Sequence, residues 1–249
     1  MKNLVIIIIS VFSCFKTVAQ QTDNSIKYIW KNDTTNITAA VEIHGLQKYN
    51  KSSFCIFYLN SVDTAFKSFS DSLFNSFVNI SNLNCPLIKI SFYNDVAPVT
   101  GKKATSFADE FSYSILGDIQ KKYPQLKTNM SIVSGLNFFA IVALVISSNN
   151  PLKINKTALF FNENTHIDLS GIIGLAEAKK LKGKIYLYVN HQKTSESFVD
   201  TLANFLALNS SAVLYKLDHY VSIDTLADFE EAYYWLMAEG NNYIIKNED

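Results

Sequence analysis

Six short apolar runs, each set off from the next by a longer stretch with helical spacing, constrain this chain more than any other feature. The first, "FCIFYLN" (Phe54–Asn60), is apolar almost throughout rather than alternating. Strands buried on both faces read this way, and such strands belong to parallel sheets. The others are "PLIKISFYN" (Pro86–Asn94), Asn129–Ser134, Lys156–Phe161, Lys184–Val189 and Ala212–Leu217. Helical stretches are expected over Phe66–Val78, Thr105–Tyr123, Asn137–Ser147, Leu169–Leu181, Glu196–Leu208 and Thr225–Glu239. Within Thr105–Tyr123, Phe107, Phe111, Ile115 and Ile119 recur every fourth residue, which predicts a helix with one apolar face. Asn137–Ser147 is apolar all round, the pattern of a helix inside a domain. Two earlier strands, Ile26–Trp30 and Thr38–Ile43, flank the turn-like "NDTTN" and are expected to pair antiparallel.

Strands alternating with helices predict an α/β fold: roughly eight strands in a mostly parallel sheet with helices on both faces. Right-handed crossovers then bring the carboxyl ends of the parallel strands to one edge, where ligands bind. The candidate site loops are therefore Asn60–Ser61, Tyr93–Asn94, Leu136–Asn137, Asn162–Glu163, Asn190–His191 and Asp218–His219.

Composition excludes several classes. The 22 basic and 22 acidic residues balance, which argues against a nucleic-acid binder driven by charge. There is no GxGxxG and no GxxxxGK[ST], so no phosphate-cradling loop and no cofactor is expected. "GIIGLAE" reads as an ordinary helix segment. His44, His166 and His191 are scattered, without ligand spacing, and no metal site is expected. Lys2, the apolar run Leu4–Phe15 and the small residues before Gln20 have the form of a signal peptide over residues 1–19. A single mature domain over 20–249, periplasmic or secreted, is the expectation. "VFSC" also loosely matches a lipidation motif, and membrane attachment through Cys14 is the alternative. An oxidising compartment leaves two readings of Cys55 and Cys85, a disulfide or two buried thiols.

The ordered segments "ATSFADEFSYSILGDIQKKYPQLKT", "SGLNFFAIVALVISSNNP", "GKIYLYVN" and "KLDHYVSIDTLADFEEAYYWL" together resemble the esterase branch of the α/β hydrolases, the group containing the enterochelin esterases and esterase D. The resemblance spans most of the mature chain. It implies an α/β-hydrolase fold and a Ser–His–acid site that acts on esters. The diagnostic motif is G-x-S-x-G, whose serine stands on a sharp strand-to-helix turn. Here Gly135 matches the first glycine, Asn137 the serine and Phe139 the second glycine, with Leu136 and Phe138 between them.

A carboxamide has no proton that an imidazole can remove near neutral pH, so Asn137 is not a nucleophile of the serine kind. It tolerates positive φ better than most residues and is a good helix cap. The expectation is thus a retained turn without its hydroxyl, with Phe139 crowding the helix–strand contact or filling the pocket. The resemblance further implies His219 as the catalytic histidine. It places Asn60 and Ser61, with Phe138, around the oxyanion pocket. It leaves only Glu196 and Glu163 as poorly placed candidates for the acid.

Three functional readings follow. The first is an exported esterase homologue without serine-hydrolase activity that binds a small ester, an acylated ligand or a partner. The second is a divergent active hydrolase using His219 with another serine, such as Ser134 or Ser61, or with an activated water. The third is an assembly protein with a face at Tyr233, Tyr234 and Trp235.

Overall fold

The computed structural model describes residues 25–49, 54–62, 71–72, 74–75, 78, 85–93, 101–161, 183–190, 201–206, 212–218 and 225–238. The eight expected strands are present: β1 (Ile26–Asn32), β2 (Ile37–His44), β3 (Ile56–Ser61), β4 (Leu87–Phe92), β5 (Ser131–Leu136), β6 (Ile154–Phe161), β7 (Lys184–Asn190) and β8 (Ala212–Asp218). They form one sheet in the order β1-β2-β4-β3-β5-β6-β7-β8. Only β2 runs against its neighbours, pairing antiparallel with both β1 and β4. The swap of β3 and β4 in the order places β3 beside β5. Those two carboxyl ends frame the candidate site.

From β3 to β7 both faces of the sheet are buried, which explains the unbroken apolar runs there. Phe57, Leu59, Ile90, Phe92, Val133, Leu159 and Leu187 point to one face. That face is covered by α1 (Gly101–Glu110), a π-helical turn (Phe111–Ile115), α2 (Leu116–Lys122) and α3 (Phe138–Asn149). Tyr58, Ile132, Phe160, Tyr186 and Tyr188 point to the other, beneath α4 (Thr225–Met237) and Phe74. α3 is buried from Phe138 to Ser148, as its all-round apolar sequence predicts.

The helix expected from Thr105 begins earlier, at Gly101. Its π turn has a reading in the sequence. Apolar residues spaced every four positions drift around an α-helix of 3.6 residues per turn. A wider i→i+5 turn takes up that drift. Phe107, Phe111, Ile115 and Ile119 all stay buried as a result. The expected helix Leu169–Leu181 lies outside the described residues. Of Glu196–Leu208, residues 201–206 are described and helical.

Cys55 and Cys85 are free, buried thiols. They belong to apolar clusters on opposite faces of the sheet, so the disulfide reading is not realised. Burial pushes both thiols up to about 12, which leaves them protonated and unreactive. Among the described residues no helix is long and apolar enough to cross a membrane.

Candidate functional site: a strand-to-helix elbow

Asn137 stands between β5 and α3 with φ 54° and ψ −114°. The left-handed basin that asparagine visits readily has ψ near +47°. Asn137 is therefore outside it, in a sparsely populated conformation that costs on the order of 1–3 kcal/mol. Two backbone bonds hold it there: its N–H donates to Phe160 O across to β6 (2.7 Å), and its carbonyl accepts from Ala140 N–H (3.0 Å). The side chain is buried but makes no capping hydrogen bond to α3. Side-chain caps normally start from β-region backbone, which aims the oxygen at the N–H groups of the first turn, and this ψ does not. The expectation of a turn former holds, and that of a side-chain cap does not.

Gly135 is the tightest point of the elbow. A Cβ added there would lie 2.3 Å from Phe139 O and 2.4 Å from Phe139 C. Real Cβ atoms do not approach backbone so closely, so only glycine lets α3 start directly against β5. The close approach is made by the main chain of Phe139, while its ring goes elsewhere. The ring stacks on Phe92 (centroids 5.7 Å apart, planes 4° from parallel) and meets Phe138 edge-on at 5.2 Å. Phe138 in turn packs edge-on against Phe107 at 6.0 Å. The bulky residue at the second glycine position thus joins the core instead of crowding the strand. Phe138 and Phe139 open the helix, so their N–H groups have no acceptor within it.

The end of β3 is arranged differently. In serine hydrolases of this fold, the loop after the equivalent strand supplies an oxyanion N–H. Here Ser61 N–H donates to Asn60 Oδ1 (2.8 Å), and Val62 N–H donates to Phe92 O (2.7 Å). Asn60 Nδ2 donates to Asp71 Oδ1 (3.1 Å), and Asp71 pairs with the buried Lys89 (2.7 Å). Lys89 lies 4.0 Å from Glu42, which also bonds His44 Nε2 (2.8 Å) and Lys27 Nζ (2.7 Å). Burial alone would raise the Glu42 carboxyl, but the cations Lys27 and Lys89 together with His44 hold it below its ordinary value.

Asn60 and Ser61 thus lie at the end of β3; Asn60 is tied through Asp71 to an ion-pair network, and the Ser61 hydroxyl donates to Phe92 O (3.5 Å). The sequence reading missed that network. Its one signal is Lys89, a charge in the middle of an apolar strand.

Ser134 is also committed. Its hydroxyl donates to Phe57 O (3.1 Å) and lies 2.6 Å from Tyr233 Oη. A hydroxyl has one proton, so with Ser134 donating to Phe57 the short bond is Tyr233 donating to Ser134. Burial pushes the Tyr233 phenol up, which keeps it a donor. Ser134 and Tyr233 tie β5 to α4 on the face of the sheet away from α3. Tyr233 is thereby core, while Tyr234 is partly exposed. His219, Glu163 and Glu196 lie outside the described residues. In sequence His219 follows Asp218, the last residue of β8, which pairs with Asn190 at the carboxyl edge of the sheet. Among the described residues no three His, Cys, Asp or Glu side chains converge as a metal site requires.

No known protein family's sequence profile matches the chain, and no curated protein sequence matches it. Solved structures do. An esterase of Pyrococcus furiosus superposes with a TM-score of 0.61 at 10% identity, over 85% of this chain and 89% of that one. A ferulic acid esterase from Anaeromyces mucronatus gives 0.56 at 14% identity, over 84% and 89%. An S-formylglutathione hydrolase from Agrobacterium tumefaciens gives 0.56 at 8% identity, over 85% and 93%. The chain has the α/β-hydrolase fold that these three neighbours share.

Proposed function

We propose that this protein is an exported esterase homologue that has given up serine acyl transfer and uses the elbow edge to hold a small ester, an acylated ligand or a partner. The observation that carries the reading is Asn137 at φ 54°, ψ −114°, two residues after Gly135, a glycine that admits no Cβ. That turn exists in hydrolases to lift a nucleophile over the sheet edge. A carboxamide in its place keeps the shape and has no oxygen able to attack a carbonyl. The commitment of Ser61 and Val62 N–H groups at the end of β3 supports the same reading, since a developing oxyanion needs donors aimed outward. Ser134, held by Phe57 and Tyr233, is a poor stand-in nucleophile for the competing reading.

The test is turnover of short-chain nitrophenyl esters by the purified mature chain against a heat-inactivated control. The expected result is no difference between the two. Robust turnover that disappears in His219→Ala would overturn the proposal and establish an active hydrolase.

A further inference from the structure

The opposite edge of the sheet carries a feature that the elbow does not explain. Lys156 on β6 and Lys184 on β7 are direct cross-strand partners. Lys156 shares its side of the sheet with Ala158 and Phe160, and Lys184 with Tyr186 and Tyr188. The two side chains therefore leave the same face about 4.8 Å apart at their roots. Both residues are half-buried. Like charges directly opposite on neighbouring strands destabilise a sheet, and here partial burial reduces the screening that would soften the repulsion.

Each ammonium sits against an aromatic ring. Lys156 Nζ is 5.8 Å from the centre of Phe54, and Lys184 Nζ is 5.2 Å from that of Trp235. Lys184 spends one donor on Ala238 O (2.6 Å), just past the end of α4. Among the described residues no carboxylate forms an ion pair with either lysine. Burial, and then the neighbouring Lys184, hold the Lys156 ammonium below its ordinary pKa. Lys127 and Lys153, both exposed, stand on the same edge just before β5 and β6. The chain contains no arginine, so side-chain recognition of an anion falls to lysines such as these.

We infer that Lys156 and Lys184 form a binding site for a phosphate group, held between two ammonium ions and walled by Phe54 and Trp235. A dianion matches the two facing charges, and its oxygens take the donors that remain on both lysines. The site lies about 13 Å along β6 from Phe160, which anchors the elbow, and it does not depend on the reading of Asn137.

The experiment compares melting temperatures of wild type, Lys156→Met and Lys156→Arg in chloride, inorganic phosphate and glycerol phosphate at matched ionic strength. Phosphate strengthens apolar burial in any protein, so the difference between variants is the readout. Wild type and Lys156→Arg should gain roughly 3 °C more than Lys156→Met at about tenfold over Kd. An equal gain from both phosphates identifies a site for the free ion. A larger gain from the ester identifies a site for a phosphorylated ligand. In chloride alone, Lys156→Met should melt higher than wild type because it keeps an apolar stem on Phe54 and removes the repulsion. The same phosphate response in Lys156→Met as in wild type would overturn the inference, and so would a lower melting point of that variant in chloride.

Discussion

At the end of β5 the chain keeps Asn137 in a strained turn, with Gly135 pressed against the main chain of α3. At the end of β3, the neighbouring strand, Ser61 and Val62 have both N–H groups bonded inward. These two ends would act together in a hydrolase, one supplying the nucleophile and the other an oxyanion donor. They differ in what they present. The β5 end has a strained elbow with a carboxamide at its apex. The β3 end has small polar side chains and backbone donors bonded within the protein. Shape at β5 is locked by core packing, since α3 cannot start anywhere else without lifting Phe138 and Phe139 out of their aromatic cluster. Nothing of that kind locks the β3 donors, which Asn60 and Phe92 O satisfy with ordinary hydrogen bonds.

The contrast predicts unequal costs for disturbing the two ends. Gly135→Ala should have the largest effect. Its methyl would meet backbone atoms of α3 at 2.3–2.4 Å, where no flexible side chain can yield. A loss of about 3–5 kcal/mol is expected, seen as a melting temperature lower by roughly 10 °C. A near-neutral result would mean that the elbow is not held by packing, and the distinction between the two ends would disappear. Asn60→Ala should cost less, about 1–2 kcal/mol in chemical denaturation. It leaves Ser61 N–H without its acceptor and removes one bond to Asp71, which Lys89 still neutralises. A cost equal to that of Gly135→Ala would mean that the β3 end is as rigidly built as the β5 end.

Much of this was legible in the sequence, for identifiable reasons. Strands buried on both faces must be apolar at successive positions, and such runs marked β3 to β8; β1 and β2, which alternate, were readable from the turn between them. The elbow was readable because Gly135 and the all-apolar α3 leave few other ways to join strand to helix. The four-residue spacing from Phe107 to Ile119 held the information for the π turn, though an ideal α-helix was the simpler reading. The start of that helix at Gly101 was hidden, because Gly101, Lys102 and Lys103 carry no apolar period. The ψ of Asn137 was hidden too, since identity constrains φ far more than the rotation set by the next element. The bonds of Asn60 to Asp71 and of Ser134 to Phe57 and Tyr233 reach partners 11 to 99 residues away, and no local pattern encodes them. The facing lysines Lys156 and Lys184 become neighbours only once β6 and β7 are in register.

The most direct test of a preserved elbow without a nucleophile is covalent. The intact mature protein would be incubated with a fluorophosphonate, which phosphonylates activated serines, and its mass read before and after. The account predicts an unchanged mass. A single adduct mapping to one serine would contradict it, because it would show an activated hydroxyl doing the work that Asn137 cannot.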